Sequence, residues 1–426
     1  MTTVDAPARR ARGRSATFFV ALAVFAQEST WNFYDAQVPP LLREHLDDAV
    51  LIGLLMGMDN LFGVVVQPWI GNRSDNTRTR WGRRIPYLAV GMPVAAVLFA
   101  TIPLASSLPA LVALMLTYAL VANSFKPIAE SLLPDFVRPE RRSRASAAVK
   151  IASSLTIVVS ALISAFLVDS HPTLSFSIPS ALMLLSAAVL VWKVRDSASP
   201  AYRAVVAEDA DPERRAAPAT RMRDVVGDVV RDRNRSRLLV LLAILLFGGA
   251  WAASRSLITP YGTETLGLSR GSAGSLTLPG GIAFLLTAYP LALLSERVGR
   301  LRVMSLGVVV FVVSLTAGAF LRTPVATVVA LCLGAIGAAA FLINASVVLW
   351  NLAPSARVLG TYTGLYTVSW ASGGFLGPAA VGALIDLTGW RFMLLDAALL
   401  AALAVVAVLR IDVLRRRNPA DAADVL

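Results

Sequence analysis

The sequence predicts an all-α polytopic membrane protein in which twelve transmembrane helices form two pseudo-symmetric six-helix bundles. Of its 426 residues, 56% are hydrophobic and only 15% are charged, and the mean hydropathy is +0.66. Soluble domains carry about 25% charged residues, and so few polar residues would not cover the surface of a soluble particle of this size. The composition therefore excludes a soluble globular protein, and ordinary Gly and Pro contents exclude a collagen-like or disordered chain.

A helix that crosses the bilayer needs about 20 mostly apolar residues, and twelve windows of the sequence meet this requirement. We expect spans 1 to 12 at 16–40, 49–70, 87–106, 109–133, 147–168, 174–193, 238–261, 272–294, 303–321, 324–349, 359–385 and 390–410. A short basic arm precedes span 1, which is too long for the apolar region of a signal peptide, so we expect no cleavable signal.

The basic residues predict the orientation, because loops rich in Lys and Arg stay in the cytoplasm. With the N-terminus inside, 32 of the 39 basic residues fall in cytoplasmic segments, four in outer loops and three within spans. This distribution predicts cytoplasmic N- and C-termini and an even number of spans. The net charge of +12 therefore reflects topology, and we expect no nucleic-acid partner. The predicted location is the cell inner (plasma) membrane, as a multi-pass protein.

A long loop of mixed charge divides the chain into two halves with six spans each. We expect an N-terminal six-helix bundle at 1–193, a cytoplasmic central loop at 194–237, a C-terminal six-helix bundle at 238–411 and a cytoplasmic tail at 412–426. Landmark residues recur in the two halves at an offset of 220 or 221 positions, namely Pro39 and Pro260, Asp75 and Glu296, Asn123 and Asn344, and Pro134 and Pro354. Together with the equal span counts, they favour a repeat of six plus six helices.

Loop 2–3 contains the sharpest motif, a Gly, an Asp four residues later, and then Gly-Arg-Arg. Gly lets helix ends approach closely, and the Asp can accept from Arg and sit at a helix N-terminus. The loop resembles the signature loop of the major facilitator superfamily, and loop 8–9 resembles its degenerate counterpart. The resemblance implies alternating access by rocking of two halves, with a conformational latch in these loops. The latch residues would be Gly71, Asp75, Gly82, Arg83, Arg84, Glu296 and Arg300. Plain positive-inside topology is the alternative explanation for the arginines.

The wider string from Val66 to Pro86 resembles the sucrose-carrier branch, and its spacing is similar to the glycoside–pentoside–hexuronide cation symporters. This resemblance implies transport of a sugar or glycoside. Sodium-using carriers of the second family place cation-binding carboxylates on span 2, where this chain has Gly63 and Gln67. A sodium cage prefers carboxylate oxygens, so these positions favour a proton as the coupling ion.

A few ionisable residues lie within the predicted spans, where each costs about 3 kcal/mol and usually faces a cavity or a partner. On span 1, Glu28, Asn32 and Asp35 share one helical face, and span 2 carries Asp59. We expect that Glu28, Asp35 or Asp59 carries the coupling proton, because a carboxylate in a partly dry cavity can load a proton near neutral pH. Arg255 on span 7 would be the counter-charge of Asp35. A static ion pair that fixes helix packing is the alternative.

Spans 1, 4, 7 and 10 line the central cavity in the fold that the resemblance implies. Aromatic rings against the C–H face of a sugar, with amides on its hydroxyls, would select such a substrate. The candidate cavity residues are Trp31, Asn32, Asn123, Lys126, Arg255, Asn344, Tyr362, Tyr366 and Trp370. Helix packing and interfacial aromatics are the alternative for these residues, and Lys126 can pair with Glu130 one turn along span 4.

An enzyme is not expected, since the sequence has no phosphate-binding Gly-rich loop with Lys and no nucleophile–His pair. The sequence has a single cysteine, within span 10, and two histidines, both in predicted loops. So few possible ligands disfavour a metal site, and we expect neither cofactor nor metal. A proton-driven exporter of a drug or metabolite on the same fold remains the nearest alternative, and a non-transporting receptor or scaffold is the second. The expected partners are a small-molecule substrate, a coupling proton and the lipid bilayer, with the protein as a monomer.

Overall fold

A computed structural model of the protein describes residues 5–46, 49–168, 170–210, 221–232, 235–268, 272–273 and 276–417. Every regular element within these ranges is helical, and the predicted all-α class is confirmed.

The first six long helices, α1 to α6, correspond to predicted spans 1 to 6. Their bounds are Asp5–Arg43, Ala49–Asp75, Ile85–Thr101, Leu108–Phe136, Arg142–Ile163 and Pro172–Lys193. Helix α1 begins earlier than span 1 because the Ala- and Arg-rich basic arm is itself a good helix former. Helices α3 and α6 begin with Pro in their first turn, where its missing N–H has no helical partner to lose.

The central loop contains two short helices, α7 at Pro200–Asp209 and α8 at Met222–Arg231. Ser199 caps α7 by accepting a hydrogen bond from the backbone N–H of Tyr202 at 3.2 Å, and Pro200 occupies the first helical position. Helix α7 packs against α4 and against the turn Ala356–Val358. This part of the central loop is therefore ordered by its packing within the first unit.

The second set of helices, α9 to α15, corresponds to predicted spans 7 to 12. Their bounds are Ser236–Ser256, Ile258–Glu264, Leu278–Val298, Arg300–Leu321, Pro324–Asn351, Leu359–Thr388 and Met393–Arg417. Span 7 is divided into α9 and α10 at Leu257. The break lies just before Pro260, whose missing N–H and bulky ring weaken the helical hydrogen bonds of this turn.

Among the residues that the structure describes, nine helices are long and apolar enough to cross a membrane. They correspond to all the predicted spans except 1, 2 and 5. The helices of those three spans, α1, α2 and α5, carry Glu28, Asp35, Asp59 and Lys150.

The chain forms two compact units. The first contains Met1–Arg138, Ala148–Met222 and Ala353–Gly364, and the second contains Pro139–Ala147, Arg223–Leu352 and Leu365–Leu426. In the first unit α4 packs against α1, α2 and α3, while α6 packs against α1 and α3. The second unit repeats this pattern, since α13 packs against α9, α11 and α12, while α15 packs against α9 and α12. Equivalent spans thus have equivalent neighbours within each unit.

Candidate functional site

Four charged side chains on α1, α4 and α5 lie inside the otherwise apolar helices of the first unit. Lys126 Nζ lies 3.2 Å from Glu28 Oε1, and the two side chains are 24% and 18% exposed. Glu130 and Lys150 lie within electrostatic range of Lys126. We call these four residues the charge cluster. It contains two acids and two bases, so a proton gained by either acid would leave a net positive charge.

Two further predicted residues lie beside the charge cluster. The ring of Trp31 is centred 5.5 Å from Lys126 Nζ, close enough for a cation–π interaction. Asn32 Nδ2 donates to Thr156 Oγ1 on α5 at 2.7 Å and to the carbonyl of Glu28 at 2.9 Å. The structure therefore brings Glu28, Trp31, Asn32 and Lys126 together. The ion pair of Lys126 is made with α1 rather than with Glu130 one turn along its own helix.

The span 2 positions that hold carboxylates in sodium-using carriers form a neutral amide cluster with Asn123. The side-chain amide of Gln67 donates to Asn123 Oδ1, and Asn123 Nδ2 donates to the carbonyl of Ala119 at 2.9 Å. A Cβ at Gly63 would lie 3.0 Å from both Asn123 Oδ1 and Gln67 Nε2. Gln67 and Asn123 are buried, so the amides occupy this space and bring no negative charge to it.

The other two predicted proton carriers are less closely defined. Asp35 is exposed on α1 and lies within electrostatic range of Tyr118. Asp59 belongs to α2, but its side chain lies outside the part of the chain that the structure describes. Arg255, near the end of α9 in the second unit, is exposed, and its guanidinium carbon lies 5.3 Å from the centre of the Trp251 ring. Its pairing with Asp35 stays a prediction.

Asn344 in the second unit is fully buried and bonded to protein groups at both ends. Its Nδ2 donates to the carbonyl of Ala340 at 2.8 Å, and its Oδ1 accepts from Ser143 Oγ at 3.0 Å. Ser143 Oγ in turn accepts from Arg300 Nε at 2.8 Å. A predicted cavity residue and a predicted latch residue are thus joined through a serine that the sequence did not single out.

The three span 11 aromatics fall in different surroundings. Tyr362 belongs to the first unit, Tyr366 and Trp370 to the second, and both tyrosines are buried. Trp370 is half-buried, and its ring lies against Gly248 on α9, where a Cβ would be 3.0 Å away. The Trp370 ring therefore packs directly against the backbone of α9, and this contact favours glycine at position 248.

The loop 2–3 motif forms a buried network of two arginines and two aspartates, which we call the motif network. Arg83 Nη2 and Arg84 Nε bind the two oxygens of Asp135 at 2.7 and 2.9 Å. Arg84 Nη2 binds Asp75 Oδ1 at 2.7 Å, and Arg83 Nη1 lies 3.7 Å from the same oxygen. Burial alone would lower the pKa of Arg84, but Asp135 and then Asp75 outweigh it and raise the pKa above its ordinary value. The Arg84 guanidinium therefore stays charged.

Asp75 also binds the first turn of α14. Its Oδ1 accepts from the backbone N–H of Gly360 at 3.0 Å, and its Oδ2 accepts from the N–H and hydroxyl of Thr361 at 2.8 and 3.0 Å. N–H groups at a helix start have no helical partner and favour an anion. A Cβ at Gly71 would overlap the carbonyl of Gly360, so glycine is required for this approach.

A third buried carboxylate, just after α6, holds the motif. Asp196 Oδ2 accepts the backbone N–H groups of Arg83 and Arg84 at 2.6 and 2.5 Å. Gly82 has a φ of +103°, which L side chains rarely adopt, and a Cβ there would meet the Asp196 carboxylate. Burial, followed by the negative charge of Asp135, raises the pKa of Asp196.

Helix α7 is attached to this region by partly exposed ion pairs. Asp209 binds Arg78 Nε at 2.8 Å and Arg357 Nη2 at 2.6 Å, and Glu208 binds Arg357 Nε at 2.7 Å. Burial opposes ionisation of Asp209, but its hydrogen bonds to Arg78 and Arg357 outweigh this and lower its pKa. Helix α7 thus connects loop 2–3 with the turn before α14, all within the first unit.

Loop 8–9 repeats the geometry of Asp75 in the second unit. Glu296 forms an ion pair with Arg144 and accepts the backbone N–H of the same residue at 3.2 Å. Arg144 lies in the first turn of α5, which is span 5, just as Gly360 lies in the first turn of span 11. Arg300 adds hydrogen bonds to Ser143 and to the carbonyl of Pro139. In each unit, an acid after span 2 or span 8 therefore binds the start of span 11 or span 5.

Several residues of these sites were not assigned a role from the sequence. Asp135 stands in a Leu-Pro-Asp string after span 4, so the acid can be identified from the sequence. Its pairing with Arg83 and Arg84 cannot. Asp196 and Arg357 stand among many charges of their loops, and Ser143 carries no sequence signal. Among the described residues, no group of three or more His, Cys, Asp or Glu is placed to hold a metal ion.

Comparison with known proteins defines the class. The family model of the Major Facilitator Superfamily matches residues 18–286 and 240–425. The chain therefore belongs to this superfamily of membrane transporters, and the predicted twelve-helix fold class is confirmed.

Solved structures of very different sequence share the fold. The E. coli fucose:proton symporter FucP has 15% identity over 94% of this chain and 99% of its own, with a TM-score of 0.74. The human organic anion transporter MFSD10 (TETRAN) has 17% identity over 93% and 99%, with a TM-score of 0.74. A bacterial homologue of the iron transporter ferroportin has 14% identity over 93% and 99%, with a TM-score of 0.72. At such identities the likeness shows the fold alone.

One curated relative matches a short segment. The Homo sapiens "Membrane-associated transporter protein" is 32% identical over 68 residues, which are 16% of this chain and 13% of that protein.

Proposed function

We propose that this protein is a secondary active transporter that moves a small polar solute, a sugar or glycoside, by alternating access with proton symport. The observation that carries the proposal is the partly buried ion pair of Glu28 and Lys126 beside Trp31 and Asn32. A sugar needs hydrogen-bonding groups for its hydroxyls and a flat apolar ring for its C–H face. The charge cluster and its neighbours Asn32 and Trp31 supply both, next to the carboxylate of Glu28.

Proton coupling follows from the charge balance of the cluster. When Glu28 is ionised, its negative charge balances the positive charge of Lys126 through a direct contact at 3.2 Å. A proton on Glu28 would release Lys126 as a hydrogen-bond donor for the solute, so that proton and solute load together. Glu28 is therefore our first choice of proton carrier, ahead of Asp35 and Asp59. The neutral amides at Gln67 and Asn123 support a proton rather than sodium.

The two acid–helix contacts support alternating access. Asp75 binds the start of span 11 and Glu296 the start of span 5, and each contact joins segments that the sequence assigns to different halves. We propose that Asp75, Arg83, Arg84, Glu296 and Arg300 form the conformational latch, with Gly71 and Gly82 allowing the close approach. The contacts would break and re-form as access alternates. We further propose an inner (plasma) membrane location and a monomeric state.

The resemblance to the sucrose-carrier and glycoside symporter branch selects the compounds to test. A thermal-shift screen of sugars and glycosides on the purified chain identifies a ligand, and uptake of that ligand into proteoliposomes is then measured with and without an inward proton gradient. We expect accumulation that requires the gradient. Accumulation driven by sodium alone would contradict proton coupling.

The role of Glu28 is tested in the same vesicles. Glu28→Gln resembles the permanently protonated form, so we expect it to exchange solute across the membrane but to lose gradient-driven accumulation. Glu44→Gln removes an exposed acid just beyond α1 and should behave like the parent. If Glu28→Gln and Asp35→Asn both retain gradient-driven accumulation, the assigned carriers are wrong. Inverted vesicles that accumulate the solute under proton-motive force would favour the exporter alternative.

A further inference from the structure

A large groove on an exposed side of the first unit lies between α3 and α6, whereas the charge cluster lies on α1, α4 and α5. Its volume is about 1020 Å³, which is at the upper end for small-molecule sites. The apolar walls come from one face of each helix, where small residues such as Ala89, Pro93 and Ala188 leave the space open. From Ile85 to Pro93 the groove follows about 12 Å of helix at 1.5 Å per residue.

One end of the groove is basic and aromatic. Arg80 and Trp81 of loop 2–3 and Arg195 after α6 line this end, and all three are exposed. Trp192 also lines it, is 75% exposed, and carries Lys193 Nζ 3.7 Å above its ring centre. The residues that line the groove all belong to the described part of the chain, and none of them is an Asp or Glu.

We propose that this groove binds an anionic phospholipid of the cytoplasmic leaflet. The acyl chain would lie along the apolar walls between α3 and α6, and the phosphate would sit between Arg80 and Arg195. The positive-inside distribution places this basic end on the cytoplasmic side, where anionic lipids are concentrated and basic pockets between helices bind their headgroups. Exposed tryptophans belong at the same depth, because their rings prefer the interface.

The position of the groove connects the lipid with the motif network. Arg80 and Trp81 directly precede Gly82, and Arg195 directly precedes Asp196, which accepts the backbone N–H groups of Arg83 and Arg84. A headgroup held by Arg80 and Arg195 would therefore bridge the two segments that this carboxylate already joins. Bound lipid would hold loop 2–3 against the end of α6.

The test is native mass spectrometry of the purified full-length chain with dioleoyl phosphatidylglycerol and dioleoyl phosphatidylcholine, which share acyl chains. We expect preferential retention of phosphatidylglycerol. In the double variant Arg80→Gln/Arg195→Gln this preference should fall by roughly thirtyfold, at about 1 kcal/mol per basic residue. The control Arg297→Gln/Arg302→Gln removes the same charge from exposed positions elsewhere and should keep the preference.

Two further measurements separate a lipid from a free anion. Ala188→Phe fills the groove without changing charge and should weaken retention of both lipids. Inorganic phosphate should not displace phosphatidylglycerol from the parent protein. Unchanged preference in the Arg80/Arg195 double variant, an equal loss in the control, full binding to Ala188→Phe, or displacement by phosphate would each overturn the proposal.

Discussion

The contact between Asp75 and the first turn of α14 makes a strong test of the latch. Asp75→Asn keeps the size of the side chain and removes its charge. Asp75 is 1% exposed, accepts three bonds from Gly360 and Thr361, and shares two buried arginines with Asp135. In the variant, the two buried arginines face only the carboxylate of Asp135. The new amide NH₂ must also face a donor of Gly360 or Thr361 and cannot accept its hydrogen bond.

The size of the effect follows from the burial of the pair. Removing one partner of a buried ion pair costs about 3–5 kcal/mol, which corresponds to a factor of roughly 150 to 5,000 in an equilibrium constant. Because the loss applies only while the Asp75 contact is closed, the variant should shift the population toward forms in which α2 and residues 360–361 have separated.

Cysteine labelling measures this opening. Cys332 is the single cysteine in the sequence, so Cys332→Ser gives a clean background for Val358→Cys. Val358 lies in the turn before α14 and is 5% exposed. In lipid nanodiscs, we expect Asp75→Asn to raise the maleimide labelling rate of Val358→Cys at least tenfold, while the protein remains folded by thermal unfolding.

A matched carboxylate at the surface provides the control. Asp209 also binds an arginine of the first unit, but its side chain is 38% exposed, and exposed pairs contribute about 1 kcal/mol or less. Asp209→Asn should therefore change the labelling rate less than about fivefold. Labelling of the Asp75→Asn protein at the parental rate, or equal acceleration by both variants, would refute the reasoning.

Three other variants test the surroundings of the latch. Gly71→Ala places a Cβ on the carbonyl of Gly360 and should accelerate the same labelling, whereas Gly281→Ala, with nothing within 4 Å of its Cβ, should not; equal rates would contradict the close-approach argument. Burial raises the pKa of Asp196 above its ordinary value of 3.8, so the folded protein binds this proton more tightly and the stability contribution is lost as the pH rises from 3.8 through the raised pKa. Asp196→Asn should remove that pH dependence from the unfolding temperature, and parallel pH profiles of parent and variant would disprove it. Arg357→Gln removes two exposed ion pairs and should increase hydrogen exchange of α7 by roughly two- to fivefold while leaving α8 unchanged; no increase in α7 would show that these pairs do not hold it.

Most of the helical architecture could be predicted from the sequence, because hydropathy and helix-breaking residues act locally. The prediction was less accurate at element ends. Span 8 was expected to begin at 272, whereas α11 begins at Leu278, where Pro279 suits the first turn of a helix. Span 7 was expected to be continuous, and the structure divides it at Leu257, just before Pro260.

The candidate site was predictable in its residue types but not in its pairings. Helical periodicity places Glu28, Trp31 and Asn32 near one face, and Lys126 is a conspicuous charge in span 4. Which helix supplies the partner of Lys126 depends on how α1, α4 and α5 pack, and the local i, i+4 rule favoured Glu130 where the structure pairs Glu28.

The sequence by itself determined the membrane class, the spans, the cytoplasmic distribution of basic residues and the Gly-Asp-Gly-Arg-Arg motif, since each depends on residues that are close along the chain. Only the tertiary structure decided that Asp75 accepts from backbone groups 285 and 286 positions away and that Asp135 and Asp196 complete the motif. From the sequence alone, a motif carboxylate such as Asp75 could pair with any of many arginines or helix N-termini. Burial of the whole group selects one arrangement, because each buried charge and each unpaired N–H must find its partner there.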